Sequence, residues 1–344
     1  MPQLTLDQLD RLARQMLLAA GTPEDIADVV AGSLVGASLK GVDSHGVMQL
    51  PYYLEEIAKG HIDPAARPTV EAKAPGLALV RGNKGFGMYA LGQATETAIE
   101  IAGRQGSACV GLADCGHTGR LGHFAETAAR RGLFALVFGG GAHETWRNVV
   151  PFGGSRPIVS TNPYAFAMPG GRFGPIVVDF ATSTVADGKV AVYRAEGKTL
   201  PEGWILDKHG RPSRDPADLF DGGMHLPAAG HKGYGLGLIA ELVGDAVLNA
   251  PPEFNWFVIT VDLGFFRPAE AYSQSAERFL QFVKDVPPAE GVQEVLLPGE
   301  PERRAEECRR KDGVPMPESV WQRLSEAAQT VGLDLAAVVK LDAR

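Results

Sequence analysis

The chain has 344 residues, 45% of them hydrophobic and 22% charged, the balance of a globular protein able to bury its own core, which excludes general disorder. Its 33 basic and 41 acidic side chains give a net charge of −8. No basic run is longer than Arg309-Arg310-Lys311, which argues against nucleic acid and anionic membrane as partners. The three cysteines, Cys109, Cys115 and Cys308, cannot all pair and lack zinc-site spacing, so a reducing cytoplasm is the expected compartment.

In chain order, Thr5 with Gln8 forms a capping box, and Leu6, Leu9, Leu12, Ala13, Met16 and Leu17 predict a helix ending at Gly21. Thr22-Pro23-Glu24-Asp25 opens a second helix that runs out near Gly41. The segment GVDSHGVMQLPYY leads into a third, which ends near Gly60. After Pro75 the runs LALVRG, SACVGLAD and LFALVFGG, with helical stretches between them, predict βαβ units. PIVVDFAT and WFVITVDL predict further strands. Helices are expected from His231 to about Asn249, from Ala271 to Val286, and from Glu300 onward. The N-terminal MPQLTLDQLDRL has no signal-peptide character, and the longest uncharged stretch, Pro157 to Gly171, is broken by Asn162 and three prolines, so no membrane span is expected. The expected organisation is a helical N-terminal part, 1–75, packed with C-terminal helices at 310–344, around a mixed α/β part at 76–309 that binds cofactor and substrate.

Gly85-Phe86-Gly87-Met88-Tyr89-Ala90 fits G-x-G-x-x-A. In a dinucleotide fingerprint the first glycine sits at the strand end, whereas here Gly82, Asn83 and Lys84 intervene, so a glycine-rich helix entry is the better reading. In Ser44-His45-Gly46, neighbouring side chains diverge, which disfavours a serine nucleophile with His45 as its base and leaves His45 as an acid or base in a glycine-flanked loop. DCGHTGRLG places His117 and Arg120 where a strand gives way to a helix, the end of a sheet where ligands gather. The spacing of His117, His123 and His143-Glu144 does not suit a metal, so none is expected. Asp179 lies in an apolar strand, where a carboxylate needs a partner, and Thr182, Ser183 and Thr184 follow with hydroxyls for a ligand. In GHKGYG, a lysine between glycines at a helix start combines a cation with the positive end of the helix dipole, as a pyrophosphate requires.

Together SHG (44–46), GHTGRLG (116–122), PFGG (151–154), TNP (161–163), DFATS (179–183), GHKGYG (230–235) and LPGE (297–300) resemble the type 2 malate/L-lactate dehydrogenase family, closest to its hydroxycarboxylate dehydrogenase branch. The resemblance implies an α/β fold with a mixed sheet of the L-sulfolactate dehydrogenase type, not a Rossmann fold, together with a helical domain built from both termini, and a homodimer. It implies an oxidoreductase that moves a hydride between NAD or NADP and a 2-oxo or 2-hydroxy acid. A cyclic imino acid such as piperideine-2-carboxylate is the alternative substrate, and a catalytically silent nucleotide-binding homologue the alternative role. By motif, His45 matches the proton donor, with Ser44 beside it and Asp179 as relay partner, and His117 is the second acid/base candidate. Thr161, Asn162, Phe180, Ala181, Thr182, Ser183, His231, Lys232, Gly233, Gly299 and Glu300 match cofactor-contacting segments. Many relatives carry arginine where this chain has Gln49, so another cation is needed for the substrate carboxylate; Arg120 is the first candidate and Arg147 the second.

Overall fold

The computed structural model describes residues 3–249 and 254–339. At its centre lies a seven-stranded sheet. In chain order its strands are β1 (Thr69–Ala74), β2 (Leu77–Gly85), β3 (Ser107–Cys115), β4 (Leu133–Gly140), β5 (Tyr164–Met168), β6 (Ile176–Phe180) and β7 (Asn255–Asp262). Their spatial order is β1-β2-β3-β7-β4-β5-β6. Only β2 and β3 are a parallel pair, joined by the helix Gly87–Gln105. The expected series of βαβ units is therefore realised once. β7 inserts between β3 and β4, antiparallel to both. Its sequence explains the insertion: Trp256 and Val258 enter the core on one face while Phe257 and Ile259 pack on the other, and a strand apolar on both faces belongs in the middle of a sheet. β1, whose Val70 is exposed, and β5 were not expected as strands. β6, with Asp179, forms one edge of the sheet.

The helices Leu6–Ala19, Glu24–Leu39 and Leu50–Ala58 follow the predicted order, and both capping-box bonds of Thr5 and Gln8 are made. Helix Leu335–Val339 packs on the first helix and Glu318–Thr330 on the third. Gln3–Leu4 pairs with Val314–Pro315. A single apolar cluster runs from Leu12, Leu34 and Tyr53 through Leu91 and Phe124 to Val110 and Val137 of the sheet. The opposite sheet face carries Phe138, Tyr164, Phe166 and Phe180, covered by the helix His231–Leu242 through Ala240. Glycines permit that approach: a Cβ on Gly140 would stand 2.7 Å from the Ala240 carbonyl carbon, and one on Gly244 2.0 Å from the Gly140 oxygen. Beyond Leu242 the helix continues as a π turn over Val243–Val247. A smaller three-stranded sheet and the helix Asp187–Ala195 form a separate apolar cluster around Val190, Leu200 and Ile205. Among the described residues no helix is long and apolar enough to cross a membrane.

Candidate active site

His45 ends a 3-10 turn, Asp43–His45, that follows the second helix. Gly46 allows the turn to lie against that helix, because a Cβ there would meet Ser38 Oγ at 2.1 Å; Ser38 Oγ in turn accepts from the Val47 N–H at 3.0 Å. From the C-terminal helix Glu300–Asp312, Arg309 binds both oxygens of Asp43 at 2.6 and 2.9 Å. Gln49 donates to the Ser44 carbonyl at 2.6 Å. The tight turn brings Ser44 Oγ within 3.0 Å of His45 Nδ1, contrary to the divergence expected for neighbouring side chains. This bond engages Nδ1 and leaves Nε2 as the ring nitrogen available to a ligand.

His117 leaves the end of β3 and its ring stacks on that of His45, centroids 5.7 Å apart. Behind it the buried Tyr53 hydroxyl lies 2.7 Å from His117 Nδ1. Burial, and then the nearby Tyr52, hold the Tyr53 phenol well above its ordinary value, so the phenol keeps its proton and donates. His117 Nδ1 accepts, which puts the ring proton on Nε2. Burial, followed by the charge of His45, pushes His117 down to about 3, so it is neutral at physiological pH. The glycines of G-x-G-x-x-A are explained here too. β2 reaches Gly85 through a bulge with Asn83 and Lys84 at φ 53° and 60°. At Gly87 a Cβ would stand 2.0 Å from the Gly116 oxygen, so the helix start packs against the His117 segment itself.

Asp179 Oδ2 accepts the Gly122 N–H at 2.7 Å and lies 3.7 Å from Arg120 Nε. Burial raises the Asp179 carboxyl above its ordinary range, and Arg120, Gly122 and His45 oppose that rise. For His45, burial lowers the value; the Asp179 charge raises it and Arg120 lowers it further. Asp179 thus acts on His45 through charge, while its hydrogen bond goes to Gly122. Arg120 is buried between Asp179 and Glu126, 3.7 Å from each.

These groups border a cavity of about 350 Å³ lined by His45, Gln49, Tyr52 and His117 on one side and by Trp146, Asn148, Thr161 and Trp256 elsewhere. No lysine or arginine is among its lining residues. Arg120 stands behind the wall, and Arg147 is exposed between two lining residues. Two lining residues carry buried polar atoms without a partner, Asn148 Oδ1 and Trp256 Nε1. Asn162 is buried and donates to the Gly237 carbonyl and to Glu241 at 2.9 and 3.0 Å. The Thr182, Ser183 and Thr184 hydroxyls donate to the carbonyls of Thr161, Val185 and Leu226, so they shape the backbone instead of pointing donors at a ligand. Phe180 stacks on Tyr164 and Phe166, and Ala181 follows at the strand exit. Gly230, at φ 64°, precedes His231, and Gly233 is closed in, since a Cβ would meet the Ala228 oxygen at 2.3 Å. The Gly233 N–H bonds Ala228, so what the helix start offers is its dipole and the exposed Lys232 amine. Gly299, at φ 84°, packs against β6, where a Cβ would stand 3.3 Å from Val177 and Pro298 accepts from the Val177 N–H. Glu300 is held by the Leu297 N–H and Lys284.

The sequence reading missed Tyr53, Glu241, and the pair Asp187–His225. Glu241 accepts from the Gly141 and Ser160 N–H groups at 2.8 and 3.3 Å. Its signal was a carboxylate within the apolar run GLGLIAELVG, which demands partners. Among the described residues no cluster of three or more His, Cys, Asp or Glu could hold a metal ion.

Residues 4–325 match the model of the malate/L-lactate dehydrogenase family. The L-lactate dehydrogenase of Cupriavidus necator is 34% identical over 96% of this chain and 98% of its own. The malate dehydrogenase of Pyrococcus abyssi is 31% identical over 95% and 94%. Among solved structures, a putative malate/lactate dehydrogenase from E. coli superposes with a TM-score of 0.91 at 28% identity, covering 99% of both chains. The δ1-piperideine-2-carboxylate reductase of Pseudomonas syringae superposes at 0.85 with 29% identity, covering 95% of this chain and all of its own. The chain belongs to the malate/L-lactate dehydrogenase family.

Proposed function

We propose that the cavity between His45, His117 and Trp256 is where this oxidoreductase interconverts a 2-oxo acid and its 2-hydroxy acid, using NAD or NADP. One observation carries the reading: two stacked histidines with different surroundings face one cavity, one electrostatically tied to a carboxylate and one held neutral. His45 is the proton donor. Ser44 fixes its Nδ1, and Asp179 favours the imidazolium that burial opposes, so Nε2 can stabilise and then protonate the carbonyl oxygen as negative charge develops there. Neutral His117 directs its Nε2–H at the same substrate. Arg120 holds Asp179, and Gln49 with His117 receives the substrate carboxylate, with Arg147 between the lining residues Trp146 and Asn148 as the further cation beside the cavity.

The residues present suit a nicotinamide dinucleotide. Asn148 Oδ1 and Trp256 Nε1 are an unpartnered acceptor and donor on the cavity wall, matching a carboxamide. Lys232 at the helix start suits a pyrophosphate, and the 161–162, 180–183 and 299–300 segments frame the remainder. When bound, the nicotinamide supplies or takes up the hydride. A single parallel strand pair, and a glycine turn filled by the chain itself, support a fold distinct from the Rossmann type. The N-terminal helices carry the His45 turn, and Arg309, in the helix Glu300–Asp312 between the α/β part and the C-terminal helices, clamps that turn through Asp43. The helix His231–Leu242 and its π turn leave Leu238, Ile239, Leu242 and Val247 exposed, a face that supports a homodimer. Three cysteines, an odd and small number for a disulfide framework, accord with a reducing cytoplasm.

The experiment is the absorbance of NADH and of NADPH against a panel of lactate-, malate- and aryl-type 2-oxo acids and cyclic imines. Oxidation of the cofactor with at least one open-chain 2-oxo acid is expected. The likeness to the Pseudomonas syringae reductase makes a cyclic imino acid the second reading, and turnover of imines alone would favour it. Cofactor binding without any turnover would refute both.

A further inference from the structure

Among the described residues Asp187 is the one acid that lines the cavity, at the first turn of the helix Asp187–Ala195. Its neighbour Gly188 lies against Ser44, where a Cβ would stand 3.5 Å from Ser44 Cβ, so Asp187 belongs to the His45 end. Behind it is His225, fully buried, with Nε2 2.5 Å from Asp187 Oδ1. His225 Nδ1 is buried with no partner. The tautomer with its proton on Nε2 leaves only a lone pair buried there and commits the ring's one N–H to Asp187. The carboxylate is thereby fixed through one oxygen. Its Oδ2 has no hydrogen bond among the described residues, and the side chain remains 60% exposed. Lys189, two residues on, is turned away, with Nζ 5.3 Å above the Trp204 ring. The same cavity is walled by the aromatic rings of Tyr52, Trp146, Phe254 and Trp256.

A fixed carboxylate among aromatic faces, with no lining lysine or arginine, is complementary to a cation. A second carboxylate on the substrate would instead meet like charge. We propose that Asp187, positioned by His225, recognises a cationic group of the substrate, and that the preferred 2-oxo acid, or its 2-hydroxy form, carries a guanidinium or ammonium tail. This rests on the reading of the cavity as a 2-oxo acid site.

The test compares three 2-oxo acids of matched length, with a guanidinium, an alkyl and a carboxylate tail, on wild type and Asp187→Asn. Wild type should show kcat/KM falling in that order. Asp187→Asn should lower the guanidinium-to-alkyl ratio about tenfold, through KM, as expected when a cation loses its carboxylate partner. A change of about threefold or less, or a wild-type preference for the carboxylate tail, overturns the proposal. His225→Gln should lower the same ratio, and an unchanged ratio there overturns the positioning role. Calorimetric binding of the same three acids to the cofactor-loaded protein separates the two levels. If none is turned over, the assignment of the reaction fails, while a binding preference for guanidinium that Asp187→Asn abolishes upholds Asp187. Binding indifferent to the tail refutes it.

Discussion

Tyr53→Phe probes how His117 is prepared. The substitution removes one oxygen, at 2.7 Å from His117 Nδ1, and keeps the ring that packs beside Phe86 at 6.0 Å between centroids, so no cavity cost is added. The bond itself is worth about 1 kcal/mol, and leaving Nδ1 without a donor raises the cost towards about 1–3 kcal/mol. In urea the midpoint should fall accordingly at unchanged slope. The kinetic effect is separate. Without the phenol, nothing pins the proton to Nε2, and loss of an oriented donor to the substrate should lower kcat/KM about tenfold, equivalent to roughly 1.4 kcal/mol. Both quantities are measurable on one preparation, by urea titration followed by fluorescence and by initial rates with the best acid of the panel. Lower stability with unchanged kcat/KM would refute the tautomer assignment. No change in either would show that the hydroxyl does not bond His117.

The remaining predictions concern charge and cofactor. Because burial holds His117 at about 3 against its ordinary 6.5, the unfolded chain takes up the proton first, and stability present above pH 6.5 is lost as pH falls towards 3; acid titration of His117→Gln should show a shallower decline over that window. Asp179→Asn removes the charge that raises His45, so the limb of kcat/KM for reduction, which falls as His45 loses its proton, should move to lower pH; a limb that stays in place contradicts the coupling. Lys232→Ala should weaken NAD(P)H binding by about 1.5–3 kcal/mol, the scale of a hydrogen bond to a charged group, as read by fluorescence titration, and unchanged affinity removes Lys232 from the pyrophosphate site.

The parts of the fold that were legible in the sequence are those set by local rules. Thr5–Gln8 capping, the apolar spacing of Leu9, Leu12 and Met16, and the run Leu133–Gly140 each specify an element without knowledge of the remainder. The insertion of β7 between β3 and β4 is a long-range event that was not foreseen, although its two apolar faces suit a central position. The site divides in the same way. SHG and GHTGRLG named His45 and His117, but adjacency in sequence misjudged Ser44, because a 3-10 turn brings neighbouring side chains together where a strand would separate them. Arg120 was expected to face the substrate from its place one turn after His117, whereas the structure engages it with Asp179 and Glu126. Asp187 and His225 carry no spacing signal at all, since separate elements bring them together.

The central claim is that His45 donates the proton. Stopped-flow and steady-state rates of NAD(P)H oxidation by wild type, His45→Ala and His117→Ala, with the same 2-oxo acid, test it most directly. His45→Ala should lower kcat by about 10² or more, the scale for losing a general acid, with cofactor affinity retained and with the limb of the pH profile that follows His45 protonation abolished. His117→Ala should act mainly on KM. Near wild-type kcat in His45→Ala, with the large loss in His117→Ala, would contradict the account and transfer the acid role to His117.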